Sequence, residues 1–292
     1  MDQVFSENDV IITKRGCVGC ITLNRPKSHN ALNLDMIRLI AAALERWRHD
    51  DGIKAVYMDG AGERAFCAGG DIKHFYMAGM DYRRGRIGLD TAMIFFQEEY
   101  DLNSLIFHYP KPLIAHMHGI TMGGGFGLAG NAKYKIVAQD TVFAMPEAKI
   151  GFFPDVGSMY HLKSLDGNLG LFLALTGNAI GGDDMLYCGL AEYSALKEEK
   201  NTIITTLQTA LDTAEEGNLH ESSREVLEVY KPTIGTGKCR LSENRAIIEK
   251  VFSGSGVTDI MTMASNQEGL VGEGYKSMLT NSPLSMRLAY DY

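Results

Sequence analysis

The N-terminal half of the chain alternates short apolar runs with longer stretches whose apolar residues recur at helical spacing. The apolar runs predict β-strands at residues 20–23, 55–59, 113–118, 134–138 and 141–144. Strands that alternate with helices along the chain are typical of a layered architecture. The pattern therefore predicts an α/β fold for this half.

The first helix is predicted just after the loop NRPKSHNALN, which is rich in turn-forming residues. Asn33 is placed to cap its N-terminus. Four apolar residues then repeat at helical spacing, so this helix is expected to pack on the sheet through one face. They are Met36, Ile40, Leu44 and Trp47.

The pattern changes at about residue 195. The later segments, such as NTIITTLQTALDTAEE and LSENRAIIEKVFSG, are helical, richer in charge and without alternating strands. We therefore predict a core at residues 1–195, which carries the candidate site, and a mainly helical region at residues 196–292. The second region is expected to cover the site, to mediate assembly, or to do both.

Composition excludes several classes of partner. The 292-residue chain has a net charge of −8, which gives no general basic field for nucleic acid. Its first residues, MDQVFSENDV, have neither the basic nor the apolar part of an export signal, and no stretch approaches the roughly 20 apolar residues of a membrane span. We therefore predict a soluble, cytoplasmic protein with no nucleic-acid or membrane partner. Its five cysteines form no regular framework and are expected to be reduced thiols.

Two short patterns raise the question of a metal site. Cys17 and Cys20 form a C-x-x-C in a segment predicted to be a strand, without a second pair at suitable spacing. His116 and His118 fall on one side of another strand, but no third ligand follows at a recognisable spacing. We predict strand thiols, core or pocket-lining histidines, and no metal.

The segment between Gly123 and Gly157 combines backbone donors with carboxylates. In GITMGGGFGLAG three consecutive glycines follow an apolar strand, so peptide N–H groups can approach a ligand where a Cβ would intrude. Glu147 in FAMPEAKIG and Asp155 in FFPDVG each follow a proline, which indicates rigidly held acids. The segment predicts a site for a developing oxyanion, with two acids that divide base or nucleophile duty from substrate orientation.

Two further features are weak when taken alone. The pair Gly69–Gly70 in FCAGGDIK precedes a helix, but glycine pairs usually mark ordinary turns. Glu98 and Glu99 lie in the helical stretch TAMIFFQEEYDLNSLIFH, and paired glutamates on a helix usually face solvent.

The motifs NRPK, FCAGGDIK, HGITMGGG, FAMPE and IGFFPDVG occur in an order that resembles the enoyl-CoA hydratase/isomerase (crotonase) superfamily, and within it the 3-hydroxyisobutyryl-CoA hydrolases. The resemblance runs from about residue 18 to 189 and continues more weakly to NSPLS. An ordered set of motifs is more specific than any one of them. It implies a spiral of repeating ββα turns with a helical C-terminal region that often supports a trimer.

The same resemblance implies roles for five residues. The backbone N–H groups of Gly70 and Gly124 would hold the thioester oxygen as an oxyanion hole. Glu147 would be the main catalytic residue, acting as nucleophile or general base, and Asp155 the second acid. Glu99 would line the substrate pocket, contrary to the solvated position that its helix alone suggests.

The glycine at residue 127 distinguishes this chain from the enoyl-CoA hydratases within the family that it resembles. Enoyl-CoA hydratases have a catalytic glutamate at the position of Gly127, so hydration by two glutamates would lack one partner here. The resemblance therefore implies hydrolysis of a short 3-hydroxyacyl-CoA, with 3-hydroxyisobutyryl-CoA favoured. Ser158 and Met159 depart from the usual DVGGGY and are expected to reshape the acyl pocket.

CoA would belong to the substrate, and no separate cofactor is expected. Arg25, Lys27 and Lys73 lie in loops expected to meet its phosphates and adenine, although each is equally well interpreted as a solvated cation. The chain ends soon after NSPLS, where the family generally continues, so a shortened C-terminal part is expected.

Two other functions remain open at this point. An isomerase or hydratase could use Glu147 as its principal acid/base, because isomerases can work with a single glutamate. A CoA-binding or assembly protein on the same fold is the other alternative. The two glycine corners, the turns at Gly69–Gly70 and at Gly123–Gly124, together with both acids favour catalysis over binding alone.

Overall fold

The computed structural model describes residues 5–7, 9–232 and 239–292. Residues 1–4 and 8, on which the prediction of a missing export signal partly rests, lie outside these ranges. Within them the strands are β1 Phe5–Glu7, β2 Val10–Arg15, β3 Val18–Leu23, β4 Ala55–Gly60, β5 Ala65–Cys67, β6 Leu113–Met117, β7 Ile120–Met122, β8 Tyr134–Val137, β9 Val142–Ala144, β10 Ile180–Gly181 and β11 Tyr193–Ser194.

Helices occur throughout the described ranges. The α-helices are α1 Leu34–Arg48, α2 Ile72–Arg83, α3 Leu89–Phe107, α4 Gly124–Gly130, α5 Ser158–Lys163, α6 Leu169–Thr176, α7 Gly182–Cys188, α8 Lys200–Asp212, α9 Leu219–Glu228, α10 Arg240–Phe252, α11 Val257–Ala264, α12 Gly269–Met278 and α13 Pro283–Asp291. Short 3₁₀ helices lie at Pro26–Ser28, Glu147–Ile150, Lys197–Glu199 and Glu216–Asn218.

The strands form two sheets, which confirms the α/β class. One sheet has the order β1-β2-β3-β4-β6-β8-β11, and the other has the order β10-β9-β7-β5. Consecutive strands from β4 to β9 go alternately to the first and the second sheet, and each pair is followed by a helix or a 3₁₀ turn. The chain therefore winds as a spiral of ββα units.

The predicted core elements are confirmed. Five strands of the first and second sheets cover the predicted runs to within two residues, and α1 begins after Asn33, whose side chain accepts a hydrogen bond from the Met36 amide. The apolar face of α1 is buried against the first sheet, with Trp47 2% exposed. β-Branched and aromatic residues favour these strands, while the helix is stabilised by burying its apolar stripe.

The second sheet places the glycine corners together. β5, β7 and β9 run parallel in it, so their C-terminal ends lie at one edge. β5 leads into Gly69–Gly70, β7 leads into Gly123–Gly124, and β9 leads into Glu147. Residues more than 70 positions apart in the chain are brought to one edge by this pairing.

After residue 195, the described residues form helices without strands. Helices α10, α12 and α13 pack on α6, and α8 packs on β3 and β4, so this region extends the hydrophobic cores of the sheets. The division at residues 195 and 196 stays a prediction. No helix in the described ranges is long and apolar enough to cross a membrane.

The cysteines are free thiols, and the two strand histidines form hydrogen bonds within the fold. All five cysteines are free, and burial raises the pKa of the Cys20 thiol to about 11. Nδ1 of His116 is 2.5 Å from the Tyr57 hydroxyl, and Nε2 of His118 is 3.0 Å from the Gly62 carbonyl oxygen. Among the described residues, His, Cys, Asp and Glu form no group of three or more that could hold a metal ion.

Candidate active site

The two glycine corners touch each other. Gly69 has a φ of +96° and Gly123 a φ of +52°, backbone conformations that glycine adopts at no steric cost. A Cβ on Gly69 would lie 3.4 Å from the backbone nitrogen of Gly124. The positive φ angles favour glycine at both corners, and the Met122 carbonyl oxygen, 3.0 Å from the place of a Gly69 Cβ, leaves little room for a side chain there.

Two backbone amides at these corners are free to bind a ligand. Neither the Gly70 nor the Gly124 N–H group donates to an acceptor in the described part of the chain. The first corner is fixed by β-bridge bonds, in which the Leu32 amide donates to Gly69 and the Asp71 amide donates to Leu32. The corners thus supply fixed donors of the kind that stabilises an oxyanion.

Two buried glutamates contact the second corner. Oε1 of Glu147 lies 2.9 Å from the position of a Cβ on Gly123, and a Cβ on Gly124 would overlap Oε1 of Glu99. The two residues are 8% and 3% exposed, and each has a carboxylate oxygen without a hydrogen-bond partner among the described residues. Buried acids that lack partners beside free amides are typical of a catalytic site.

The neighbouring glutamates of α3 have different surroundings. Glu98 faces solvent and forms two 2.7 Å hydrogen bonds with the Arg38 guanidinium. Glu99 faces the interior. The solvated interpretation is therefore right for Glu98 and wrong for Glu99, in agreement with the position that the family resemblance implies.

Asp155 lies next to these glutamates and accepts a 2.7 Å hydrogen bond from the Tyr100 hydroxyl. It also lines an open cavity of about 780 Å³ between α3, α5 and α13. Met159 lines this cavity as well, whereas Ser158 is fully buried behind it. Glu99, Glu147 and the glycine corners are outside the lining, whereas Asp155 lines the cavity and interacts electrostatically with both glutamates.

Burial changes the acidity of all three carboxyls. Burial, together with repulsion from the Asp155 charge, raises the pKa of Glu99 and of Glu147 to about 8. Burial also raises the pKa of Asp155, while the hydrogen bond from Tyr100 opposes that change. The site therefore holds carboxyls that exchange protons near neutral pH, where acid and base catalysis is most effective.

These shifts predict that stability falls as pH rises toward 8. The folded state holds protons on Glu99 and Glu147 up to about pH 8, whereas the unfolded chain loses them near the ordinary value of 4.5. The free energy of unfolding therefore decreases with pH across this interval. Burial lowers the pKa of His116 to about 4, which acts in the opposite direction only below about pH 6.5.

Urea unfolding between pH 6.5 and 8.5 tests this prediction, with Glu99→Gln as the comparison. Glutamine does not ionise, so the variant should become more stable relative to the wild-type protein as pH rises. Glu98→Gln is the matched control, because Glu98 is partly exposed and ion-paired with Arg38. A stability difference between Glu99→Gln and wild type that does not change with pH contradicts the raised pKa.

Gly127 has a neighbour that occupies the space of a side chain. A Cβ on Gly127 would lie 2.7 Å from the Val156 Cβ and 3.1 Å from Nδ2 of Asn103. Val156 has a φ of +49°, which is a strained conformation for a β-branched residue. The turn after Asp155 therefore fills the place where a larger residue at 127 would lie.

Three residues of the site were missed from sequence: Tyr100, Asn103 and Val156. Helical spacing places Asn103 four residues after Glu99 and on the same face, so this signal was available once Glu99 was selected. Tyr100 and Val156 gave no signal of their own, because their roles depend on how α3 and the FPDVG turn meet.

The cations considered for CoA binding differ in availability. The Arg25 guanidinium is ion-paired with Asp71 at 3.1 Å and with Asp9 at 3.5 Å, so it fixes the glycine corner. Lys27 and Lys73 are exposed. They remain candidates for an anionic ligand.

The family model for enoyl-CoA hydratase/isomerase matches residues 18–292. The chain is 39% identical to the 3-hydroxyisobutyryl-CoA hydrolase, mitochondrial, of Xenopus laevis, covering 99% of this chain and 73% of that protein. It is 37% identical to the human protein of the same name, covering 96% and 71%. A carnitinyl-CoA dehydratase from Mycobacterium thermoresistibile has a similar structure, with a TM-score of 0.83, 32% identity, and 98% and 78% coverage.

Proposed function

This chain belongs to the enoyl-CoA hydratase/isomerase family, and from that premise we propose that it hydrolyses 3-hydroxyisobutyryl-CoA to the free hydroxy acid and CoA. The observation that carries the proposal is the position of Glu147. Its carboxylate lies against the Gly123–Gly124 turn, while Gly127 supplies no second catalytic side chain. The Glu147 carboxylate beside an oxyanion hole suits attack on a thioester carbonyl.

The carbonyl oxygen of the thioester would accept hydrogen bonds from the Gly70 and Gly124 amides. These donors polarise the carbonyl and stabilise the negative charge of the tetrahedral intermediate. Because the two corners are held by backbone contacts, the donors are already oriented before substrate binds. Little reorganisation is then needed as charge develops.

Glu147 would act in its ionised form. It would attack the carbonyl carbon to form an anhydride, or remove a proton from a water molecule that attacks instead, and both routes need the carboxylate anion. Asp155, held by Tyr100, would bind the substrate hydroxyl or assist the attacking water. Glu99, in contact with Gly124, would orient the acyl group.

The CoA part of the substrate would lie on the protein surface, away from the buried carboxylates. Lys27 lies in the 3₁₀ helix Pro26–Ser28 of the loop before α1, and Lys73 lies in the first turn of α2, shortly after Gly70. Both are exposed and near the glycine corner, which supports contact with the CoA phosphates. CoA enters as part of the substrate, and we propose no separate cofactor.

Assembly and location are further proposals. Ile72, Tyr76 and Met77 on α2 are 58–66% exposed, and apolar residues so exposed on one helix support a homo-oligomer. The predicted cytoplasmic location stays a prediction, since the relatives named above are mitochondrial by name.

Thiol release is expected from 3-hydroxyisobutyryl-CoA and not from crotonyl-CoA or a 3-enoyl-CoA. The reason is that both enoyl esters lack the hydroxyl that Asp155 would bind, and that the site lacks the side chain at residue 127 that hydration would use. The three esters should be compared at equal concentration, recording free thiol and the absorbance of the enoyl group. An absorbance change without thiol would identify an isomerase or hydratase, and CoA binding without either would identify a binding protein.

A further inference from the structure

Asn103 is a buried polar residue that the fold leaves without a partner. It lies on α3 and is 5% exposed. Neither its Oδ1 nor its Nδ2 atom has a hydrogen-bond partner among the described residues. Since a buried amide that lacks partners is costly, its retention indicates a ligand for this side chain.

Asn281, another buried asparagine, shows the usual arrangement. Its Nδ2 group donates to the Leu175 carbonyl at 2.9 Å and to the Thr176 carbonyl at 3.3 Å. It therefore has a structural role that Asn103 does not share.

Asn103 lies among the residues of the candidate site. It is one helical turn from Glu99, and it lines the same cavity as Tyr100 and Asp155. Its Nδ2 atom is 3.1 Å from the position of a Cβ on Gly127. With glycine there, no side chain from residue 127 covers the amide.

The chemistry of the cluster selects the group that it can bind. Asp155 already accepts a hydrogen bond from Tyr100, and as an anion it can only accept. Asn103 offers both a donor and an acceptor. A hydroxyl group that reaches both can donate to the Asp155 carboxylate and accept from Nδ2 of Asn103, which gives Nδ2 the partner that the fold does not supply.

We propose that Asn103, together with Asp155, recognises the 3-hydroxyl group of the acyl part and makes the enzyme selective for 3-hydroxyacyl thioesters. This assignment rests on the proposed hydrolysis. Asn103 binds and orients the substrate, whereas Glu147 carries the chemistry. The alternative, that Asn103 holds the attacking water, makes a different prediction.

Asn103→Leu removes the polar atoms at similar volume and is tested on 3-hydroxyisobutyryl-CoA and isobutyryl-CoA, which differ by the hydroxyl. The ratio of their kcat/KM values for thiol release should fall by about 10- to 100-fold, because the hydroxyl loses a partner. If kcat/KM falls by the same factor for both esters, Asn103 holds water or the fold and the proposal is wrong. A wild-type ratio near one would also overturn it.

Asn281→Leu is the matched control. It should lower the melting temperature without changing the ratio of kcat/KM values, since Asn281 bonds only to backbone of the fold. Asn103→Ala repeats the test without adding methyl groups, in case the leucine variant does not fold.

Binding separates failure of this inference from failure of the proposed hydrolysis. In a Glu147→Gln background the Kd of each ester can be measured without turnover. Asn103→Leu should weaken binding of 3-hydroxyisobutyryl-CoA by about 10-fold relative to isobutyryl-CoA. If the wild-type protein releases no thiol but this difference persists, the hydrolase proposal fails and the hydroxyl recognition stands; equal changes in Kd reject the recognition.

Discussion

Glu147→Gln is expected to lower kcat for thiol release from 3-hydroxyisobutyryl-CoA by about 10²- to 10⁴-fold. Glutamine keeps the size of the side chain, but it can neither attack the thioester nor remove a proton from water. The carboxylate lies 2.9 Å from the place of a Gly123 Cβ, next to the amides that would hold the thioester carbonyl. Removing it therefore removes the group expected to react. Thiol release measured under saturating substrate isolates this effect from binding.

Two measurements show whether the fall in kcat comes from the catalytic step rather than from substrate binding or folding. The Kd for the substrate should change little, because the amides of Gly70 and Gly124 and the CoA contacts remain. Glu98→Gln, which changes the neighbouring glutamate that is ion-paired with Arg38 on α1, should retain turnover. A Glu147→Gln enzyme with more than about a tenth of wild-type kcat would exclude Glu147 as nucleophile or base.

Gly124→Ala is expected to reduce kcat/KM by about 10²- to 10³-fold, the usual effect of losing one oxyanion donor. A methyl group there would overlap Oε1 of Glu99 and lie 3.3 Å from Cδ1 of Leu32. The turn must shift to admit it, which moves the Gly124 amide and the Glu99 carboxylate together. Steady-state kinetics with 3-hydroxyisobutyryl-CoA give the loss.

Gly79→Ala provides the matched control for this change. Gly79 lies within α2, and a Cβ there would meet nothing within 4 Å. Alanine favours a helix over glycine, so this variant should be at least as stable as the wild-type protein and retain its kinetics. Full activity of Gly124→Ala would show that the thioester oxygen is bound elsewhere.

The sequence alone predicted those site residues that stand in a distinctive local motif. Glu147 and Asp155 stand beside prolines, and Gly124 stands in a run of three glycines, so local composition marks each of them. The strands that bring them together were harder. β5 and β7 have three residues each, which is too short for an alternating pattern to be recognised.

The surroundings of the acids could not be predicted in the same way. Glu98 and Glu99 are adjacent in sequence and alike in chemistry, and only the packing of α3 decides which of them is buried. Asn103 and Tyr100 acquire their significance from Asp155, which lies more than 50 residues away in the chain. Such relations depend on tertiary contacts rather than on propensity.

The contact between Gly127 and Val156 limits how this enzyme could have diverged from hydratases. A carboxylate side chain cannot be added at residue 127 unless Val156 first vacates the space, and the backbone of Val156 is held in a left-handed turn next to Asp155. Residues 127 and 156 compete for the same space, so the effects of substituting them are coupled. A carboxylate side chain at residue 127 therefore requires the loop that carries Val156 to change as well.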